Sequence, residues 1–269
     1  MMELKKNAFK AGLDSGTTQY GLWLGLPDNT AAEIAACAGF DWLLIDGEHA
    51  PFDLRTIMAH LQAMSAYPVA PIVRPVEGST ALIKQLLDVG AQTLLVPMVD
   101  TAEQAKSLVD AVRYPPNGIR GLGTSLARAA AWNNIAGYAQ KANDEICLLV
   151  QVETQLALDN LDEILAVDGV DGVFIGPSDL SASMGYIGQA GHPDVVSAIK
   201  GGLEKIRAAG KYAGLLCLDP SLAKDYELAG ANFIGVGVDT MILAQGAKRL
   251  AAQFKSPETL TEQKPQAGY

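Results

Sequence analysis

Short runs of β-branched and aliphatic residues alternate along this chain with longer Ala/Leu-rich segments whose apolar positions recur at helical spacing. The short runs are Tyr20–Gly25, Trp42–Glu48, Ala70–Pro75, Thr93–Val99, Ile146–Glu153, Gly172–Pro177, Tyr212–Cys217 and Phe233–Asp239. They are apolar almost throughout rather than at alternate positions, the signature of parallel strands covered on both faces. The helical segments are Thr30–Ala38, Asp53–Ser65, Ser79–Val89, Thr101–Val112, Asp159–Ala166, Pro193–Ala209, Pro220–Ala229 and Thr240–Phe254. Asp53, Ser79 and Thr101 stand where a side-chain oxygen caps a first turn, and Thr30 is the candidate cap of the first helix. Gly39, Gly90, Gly210 and Gly230 follow helices, where a left-handed residue ends the helix before the next strand.

A repeated strand-then-helix order predicts an α/β protein, specifically a closed (β/α)8 TIM barrel. A doubly wound open sheet is the second choice. One domain is expected over residues 1–254, with an insertion at about 113–144 that carries weak helical stretches of its own. Residues 255–269 are polar, contain two prolines, and are expected to form a loose tail.

Composition narrows the function classes. The chain has 269 residues, 49% hydrophobic and 19% charged, with Lys+Arg 20 against Asp+Glu 30 and a formal net charge of -10. So acidic a surface repels a phosphate backbone, which argues against nucleic-acid binding. No stretch approaches the roughly 18 apolar residues of a membrane span, and Met1–Lys10 is charged rather than signal-like. Cys37, Cys147 and Cys217 are far apart and form neither a disulfide framework nor a zinc pair. A soluble cytoplasmic enzyme acting on small molecules is expected, with no nucleic-acid or membrane partner.

Barrel active sites gather where strands end. The predicted ends carry Trp23; Asp46, Gly47, Glu48 and His49; Arg74; Pro97 and Met98; Gln151 and Glu153; Pro177, Ser178 and Asp179; Leu216 and Cys217; Gly237 and Asp239. Glu153 and Asp179 come from neighbouring strands, where converging carboxylates repel unless a cation joins them. Oxygen donors suit magnesium, manganese or cobalt better than zinc. The alternative is that Asp179 caps a turn and Glu153 pairs with an arginine. Arg74 is either a salt-bridge partner or a guanidinium aimed at a carboxylate or developing oxyanion. His49 sits beside Asp46 and Glu48, and an acidic neighbour that orients the imidazole suits it to general-base work; the other reading is a histidine satisfied in a turn. His60 is expected in packing, and His192 in a loop.

Absences count as well. No lysine ends a strand, so a Schiff-base mechanism lacks its nucleophile. Gly118-Ile-Arg-Gly-Leu-Gly123 follows a helix and two prolines, which is the wrong context for a dinucleotide fingerprint. Gly235-Val-Gly237 serves either a phosphate or close packing.

Leu43-Leu-Ile-Asp-Gly-Glu-His49, Val73-Arg-Pro75, Gly90-Ala-Gln-Thr-Leu-Leu-Val-Pro97, Arg113-Tyr-Pro-Pro116, Val150-Gln-Val-Glu153 and Gly172-Val-Phe-Ile-Gly-Pro-Ser-Asp179 resemble the HpcH/HpaI aldolase family, over about Gly21 to Phe254. The resemblance implies a barrel of the phosphoenolpyruvate/pyruvate-domain type and a class II pyruvate aldolase. Such an enzyme reversibly cleaves a 4-hydroxy-2-oxo acid, such as the 4-hydroxy-2-oxoheptanedioate of aromatic-compound catabolism, to pyruvate and an aldehyde. A 2-keto-3-deoxy sugar acid is the alternative substrate. The resemblance further implies Glu153 and Asp179 as ligands of a divalent Mg, Mn or Co ion, with Gln151 beside the keto acid. Backbone N–H groups of Ser178 and Asp179 would hold the substrate carboxylate; some family members carry Ala where Ser178 stands. Arg74 would stabilise the enolate, His49 with Asp46 beside it would be the base, and Trp23, Leu216 and the Gly191–His192 loop would contact substrate. Asp88 would raise the basicity of a neighbouring protomer's His49, in a homohexamer built as a trimer of dimers. A phosphosugar isomerase and a catalytically silent binding barrel are the competing classes.

Overall fold

The computed structural model describes residues 2–255. Its eight strands, β1 (Gln19–Leu24), β2 (Trp42–Asp46), β3 (Ala70–Arg74), β4 (Thr93–Val96), β5 (Cys147–Val152), β6 (Gly172–Ile175), β7 (Tyr212–Leu216) and β8 (Phe233–Val238), pair in sequence order. All pairs are parallel, and β8 returns to β1 to close the barrel. The open-sheet alternative is excluded.

Strand side chains alternate between two layers. Leu22, Leu43, Ile45, Val73, Val150 and Val173 face the helices. Trp23, Trp42, Leu44, Ile72, Leu149, Phe174 and Phe233 fill the lumen. Glycine stands opposite the largest rings. A methyl group on Gly21 would lie 2.0 Å from Trp42, one on Gly214 2.2 Å from Phe233, and one on Gly235 2.6 Å from Trp23. Large and absent side chains thus interlock, and the lumen is a packed core rather than a pore. This packing accounts for the glycine at position 235.

Helix α1 (Ala8–Asp14) precedes β1, and α2 (Asn29–Ala36), α3 (Leu54–Ala63), α4 (Thr80–Asp88) and α5 (Ala102–Val112) follow β1 to β4. Then come α6 (Tyr138–Lys141) before β5, and α7 (Gln155–Asp159) and α8 (Leu161–Leu165) after it. Helices α9 (Pro177–Ser183) and α10 (Pro193–Ala208) follow β6, α11 (Pro220–Leu228) follows β7, and α12 (Asp239–Phe254) follows β8. Asp53, Ser79 and Thr101 cap their helices as expected.

Several elements differ from the sequence reading. Asp28, not Thr30, caps α2. The helix expected at Asp159–Ala166 starts earlier, under a Thr154 cap, and divides at Asn160. Glu48, Pro75, Glu153, Pro177, Cys217 and Asp239 fall beyond their strands, because the apolar pattern continues after the hydrogen-bond ladder stops and proline has no N–H to extend it. Helix α1 was not expected at all. Asn7 accepts the Lys10 N–H at 3.1 Å to cap it, and Phe9 and Leu13, one turn apart, enter the lumen. Phe9 is fully buried, edge-on to Phe233 at 5.6 Å and to Trp42 at 6.2 Å.

The 113–144 insertion holds two short 3-10 turns, Arg128–Ala130 and Ala142–Glu145, beside α6. Tyr114, Ala127, Ala130, Tyr138 and Ala142 form its own small apolar cluster. No residue of α12 is buried, and Ile242, Leu243, Leu250 and Phe254 are exposed along it. Among the described residues no helix is long and apolar enough to cross a membrane. The expected tail lies outside the described residues except for Lys255.

Candidate active site at the C-terminal mouth of the barrel

The lumen-facing positions of three strands change character as they approach the C-terminal mouth. Along β2 they read Trp42, Leu44, Asp46; along β3, Ala70, Ile72, Arg74; along β5, Cys147, Leu149, Gln151, with Glu153 just beyond. The same face that packs the core below therefore presents charge above. A cleft of about 620 Å³ opens there, lined by Trp23, Asp46, His49, Arg74, Gln151, Glu153, Ser178, Asp179 and Leu216. Ala50, Pro51, Val238, Thr240 and Met241 also line it and were not anticipated.

Arg74 is only 7% exposed and is held on several sides. Asp46 and Arg74 are register partners across β2 and β3. Arg74 donates from Nε to Asp46 Oδ1 at 2.9 Å and from Nη2 to Oδ2 at 2.6 Å, a bidentate fork. Its Nη1 donates to Gln151 Oε1 at 3.4 Å and lies 2.9 Å from Glu48 Oε2. The Trp23 ring lies 5.9 Å from the guanidinium carbon. Both readings of Arg74 meet here, since the salt bridge fixes a guanidinium at the mouth of the cleft.

Asp46 corrects one expectation. Its carboxylate does not orient the His49 imidazole. Besides Arg74, it accepts only the backbone N–H groups of Glu48 (3.1 Å) and His49 (3.2 Å). The imidazole faces Glu48 instead, with Nε2 at 3.7 Å from Oε2. Burial raises the Glu48 carboxyl above its ordinary range; Arg74 and His49 oppose the shift, and Asp46 and Asp179 add to it.

Glu153 is 2% exposed. Oε1 accepts the Met98 N–H at 2.8 Å, and Oε2 accepts Gln151 Nε2 at 3.0 Å. Met98 takes a left-handed φ of 57° to make that approach, unusual for a non-glycine residue at the end of a strand. Gly176 makes room on the other side, because a methyl group there would lie 2.4 Å from Glu153 Oε2. Burial pushes the Glu153 carboxyl up to about 7, against the Met98 N–H, with Asp179 and Glu48 adding to it. Asp179 stands exposed in the first turn of α9. Neither Met98 nor Gly176 carries a side-chain signal that sequence reading could have found.

Four carboxylates, those of Asp46, Glu48, Glu153 and Asp179, thus gather around one guanidinium. This donor set fits a hard divalent cation. Among the described residues no group of three or more His, Cys, Asp or Glu side chains is pre-assembled around a metal position. Glu153 and Asp179 are two oxygen donors on the cleft wall, the ligand type that magnesium-type ions favour.

Other candidates lie elsewhere. Asp88 ends α4, away from the cleft of its own chain, and accepts Arg120 Nη2 at 2.8 Å. The Gly191–His192 loop does not line the cleft. His192 caps α10 through the Asp194 N–H (3.3 Å) and stacks on Tyr186 with ring centroids 3.8 Å apart. Cys217 belongs to the layer under the helices. His60 is buried between the Thr56 and Leu26 carbonyls. Asp239 accepts the Gly25 (2.8 Å) and Leu26 (3.1 Å) N–H groups and ties down the loop after β1.

A closed barrel with charge concentrated at its C-terminal mouth, over a packed lumen, has the architecture of a barrel enzyme. The chain belongs to the HpcH/HpaI aldolase/citrate lyase family, whose pattern matches residues 19–246. It is similar to a hydroxypyruvate/pyruvate aldolase of Deinococcus radiodurans, 62% identical over 97% of this chain and 95% of the relative. A 2-keto-3-deoxy-L-rhamnonate aldolase of Klebsiella pneumoniae is 56% identical over 98% of this chain and 99% of the relative. A crystal structure of a family member from Burkholderia cenocepacia superposes with a TM-score of 0.89 at 38% identity, covering 93% of this chain and 100% of that one. The protein is an aldolase, a carbon–carbon lyase of a metal-dependent family.

Proposed function

We propose that this enzyme cleaves a 4-hydroxy-2-oxo acid reversibly to pyruvate, or hydroxypyruvate, and an aldehyde. The observation that carries this reading is the convergence of Glu153, Asp179, Gln151, Arg74 and His49 on one cleft. Glu153 and Asp179 would hold a divalent ion, Mg, Mn or Co, which when bound polarises the 2-oxo group and stabilises charge developing there. Gln151 lies between Arg74 and Glu153 and orients the oxo acid. Backbone N–H groups of Ser178 and Asp179 hold its carboxylate. Arg74 supplies fixed donors to the enolate oxygen. His49, 62% exposed, takes the proton of the C4 hydroxyl as the C3–C4 bond breaks and passes it to solvent, and the pyruvate enolate takes a proton at C3 from water. Trp23 and Leu216 wall off the reacting carbons from water.

Of the two substrate classes, a 2-keto-3-deoxy sugar acid is favoured over 4-hydroxy-2-oxoheptanedioate. The second carboxylate of the dioate needs a cation, and Arg74 is already gripped by Asp46 and Glu48. Leu216, Val238, Thr240 and Met241 suit a neutral hydroxyaldehyde better. One of the similar aldolases is named for a 2-keto-3-deoxy sugar acid.

We further propose a homo-oligomer, a hexamer formed as a trimer of dimers. The uncovered apolar residues of α12 support association. Asp88, on the face remote from its own cleft, would then act on a neighbouring copy's His49. Free thiols at Cys37, Cys147 and Cys217 suit a reducing cytoplasm.

Retro-aldol assays test the reading. Pyruvate release from 2-keto-3-deoxy-L-rhamnonate and from 4-hydroxy-2-oxoheptanedioate is followed through a coupled dehydrogenase. The sugar acid should have the higher kcat/KM by at least about tenfold. The reverse ranking would overturn the substrate choice, and no release from any 4-hydroxy-2-oxo acid would overturn the reaction.

A further inference from the structure

Glu48 belongs neither to the ligand pair nor to the proton-transfer role assigned above, yet the two halves of the site meet on it. The loop after β2 explains how. Gly47 N–H donates to the Arg74 carbonyl at 2.8 Å, and a methyl group on Gly47 would lie 2.7 Å from that oxygen. Only glycine lets the loop run this close to the end of β3. Asp46 Oδ1 then accepts both the Glu48 and the His49 N–H, closing a tight turn that folds Glu48 back over Arg74.

The Glu48 side chain is 16% exposed, and one oxygen, Oε2, faces both partners. It lies 2.9 Å from Arg74 Nη1 and 3.7 Å from His49 Nε2. That oxygen is buried without a well-aligned hydrogen bond, so its acceptor capacity is unmet. Asp46 already holds the Nε and Nη2 edge of the guanidinium, which leaves the Nη1 edge to Glu48 and Gln151. The imidazole is exposed by comparison, and Glu48 is its one charged partner within ion-pair distance among the described residues.

We infer that Glu48 is a positioning residue that couples Arg74 to His49. It braces the free edge of the guanidinium. By closing the remaining gap to His49, it keeps a proton on the ring nitrogen that faces it and leaves the opposite nitrogen free to accept the substrate proton. A charge-assisted bond to Glu48 then holds the imidazolium that forms. This inference rests on the proposed roles of Arg74 and His49.

Two reactions of one preparation separate the couplings. Deuterium exchange at C3 of pyruvate, followed by NMR with magnesium present, needs the Arg74 side of the site. Cleavage needs His49 as well, and is measured on whichever 4-hydroxy-2-oxo acid the wild type cleaves fastest. Glu48→Gln keeps the shape and an acceptor for Arg74 but cannot hold an imidazolium. The ratio of cleavage to exchange should fall at least about tenfold in Glu48→Gln, the usual scale for an orienting partner. Glu48→Asp, which keeps the charge, should recover part of the ratio. Glu48→Ala should lower exchange as well; if it does not fold, the other two variants carry the test. Equal losses in both reactions, or no loss, in Glu48→Gln would overturn the coupling. His49→Ala distinguishes the levels. Normal cleavage by His49→Ala would remove both the base and the inference, whereas crippled cleavage beside an unmoved Glu48→Gln ratio would remove the inference alone.

Discussion

The two mouths of the barrel are made from opposite ends of the same lumen-facing rows, and they handle charge differently. At the N-terminal mouth Lys10 meets Asp171 at 3.0 Å, and the buried Arg120 meets Asp88 at 2.8 Å near that face. Asn7 donates to Thr93 Oγ1 at 2.9 Å, and Phe9 fills the centre. At the C-terminal mouth Asp46 and Glu48 grip Arg74 directly, while Glu153 and Asp179 add two more carboxylates to the wall of the open cleft. The first arrangement pairs each of its charges with an opposite one and seals the core, although buried Arg120 Nε and Nη1 find no hydrogen-bond partner. The second carries an excess of negative charge that a divalent cation would offset. Burial alone does not mark the functional end: Arg120 is 1% exposed, more deeply buried than Arg74 at 7%, yet it lies outside the cleft. What marks that end is the imbalance between carboxylates and cations.

If that contrast is right, removing divalent metal should have the largest effect. Exhaustive chelation should abolish pyruvate release while the far-ultraviolet circular dichroism is preserved, and Mg, Mn or Co should restore the activity. Full activity in the chelated enzyme would leave the carboxylate cluster without its cation. Next comes His49→Ala, expected to lower cleavage by about 10²–10⁴-fold, the range for loss of a general base, with little change in unfolding free energy. The opposite mouth should behave in the opposite way. Phe9→Ala should destabilise the fold by about 3–5 kcal/mol in denaturant titrations, because it empties a fully buried site. Its kcat per folded molecule should match the wild type, and a large loss would mean that the plug communicates with the cleft.

The smallest effect is a pH dependence of the metal-free chain. The folded state holds the Glu153 proton more tightly than the unfolded state, up to about 7 against an ordinary 4.5. The associated stability is complete below the unfolded value and is lost as pH rises through the folded one. Between about pH 5 and about pH 8 the metal-free wild type should therefore lose on the order of 2–3 kcal/mol relative to Glu153→Gln. Added metal should reverse the ranking at high pH. Parallel stability curves for the two proteins would show that Glu153 ionises freely in the folded state.

Much of the cleft was legible in the sequence because the barrel rule places strand ends together. Trp23, Asp46, His49, Arg74, Gln151, Glu153, Ser178, Asp179 and Leu216, all named from strand ends, line one cleft. Misreadings arose where chain neighbours and spatial neighbours differ. Asp46 is three residues from His49, but its register partner is Arg74, and the strand pairing decided where its carboxylate points. His192 lies in a loop on the cleft side of the barrel, yet it turns away to cap α10. Helix α1 escaped notice because only Phe9 and Leu13 carry its apolar face, too short a period to detect amid charged residues.

By itself, the sequence determined the alternation of buried strands and amphipathic helices, and with it the barrel and the set of polar residues at one rim. Those depend on local periodicity and on which residue types water excludes, and both are written in single positions. Only the tertiary structure decided that Met98 aims its N–H at Glu153, that Gly176 leaves room beside that carboxylate, and that Gly47 lets Glu48 reach both Arg74 and His49. These are distances between residues remote in the chain, set when parallel strands take a common register and the closed barrel brings their ends within reach of one another. No local pattern encodes such a distance, because it depends on how every other strand is placed.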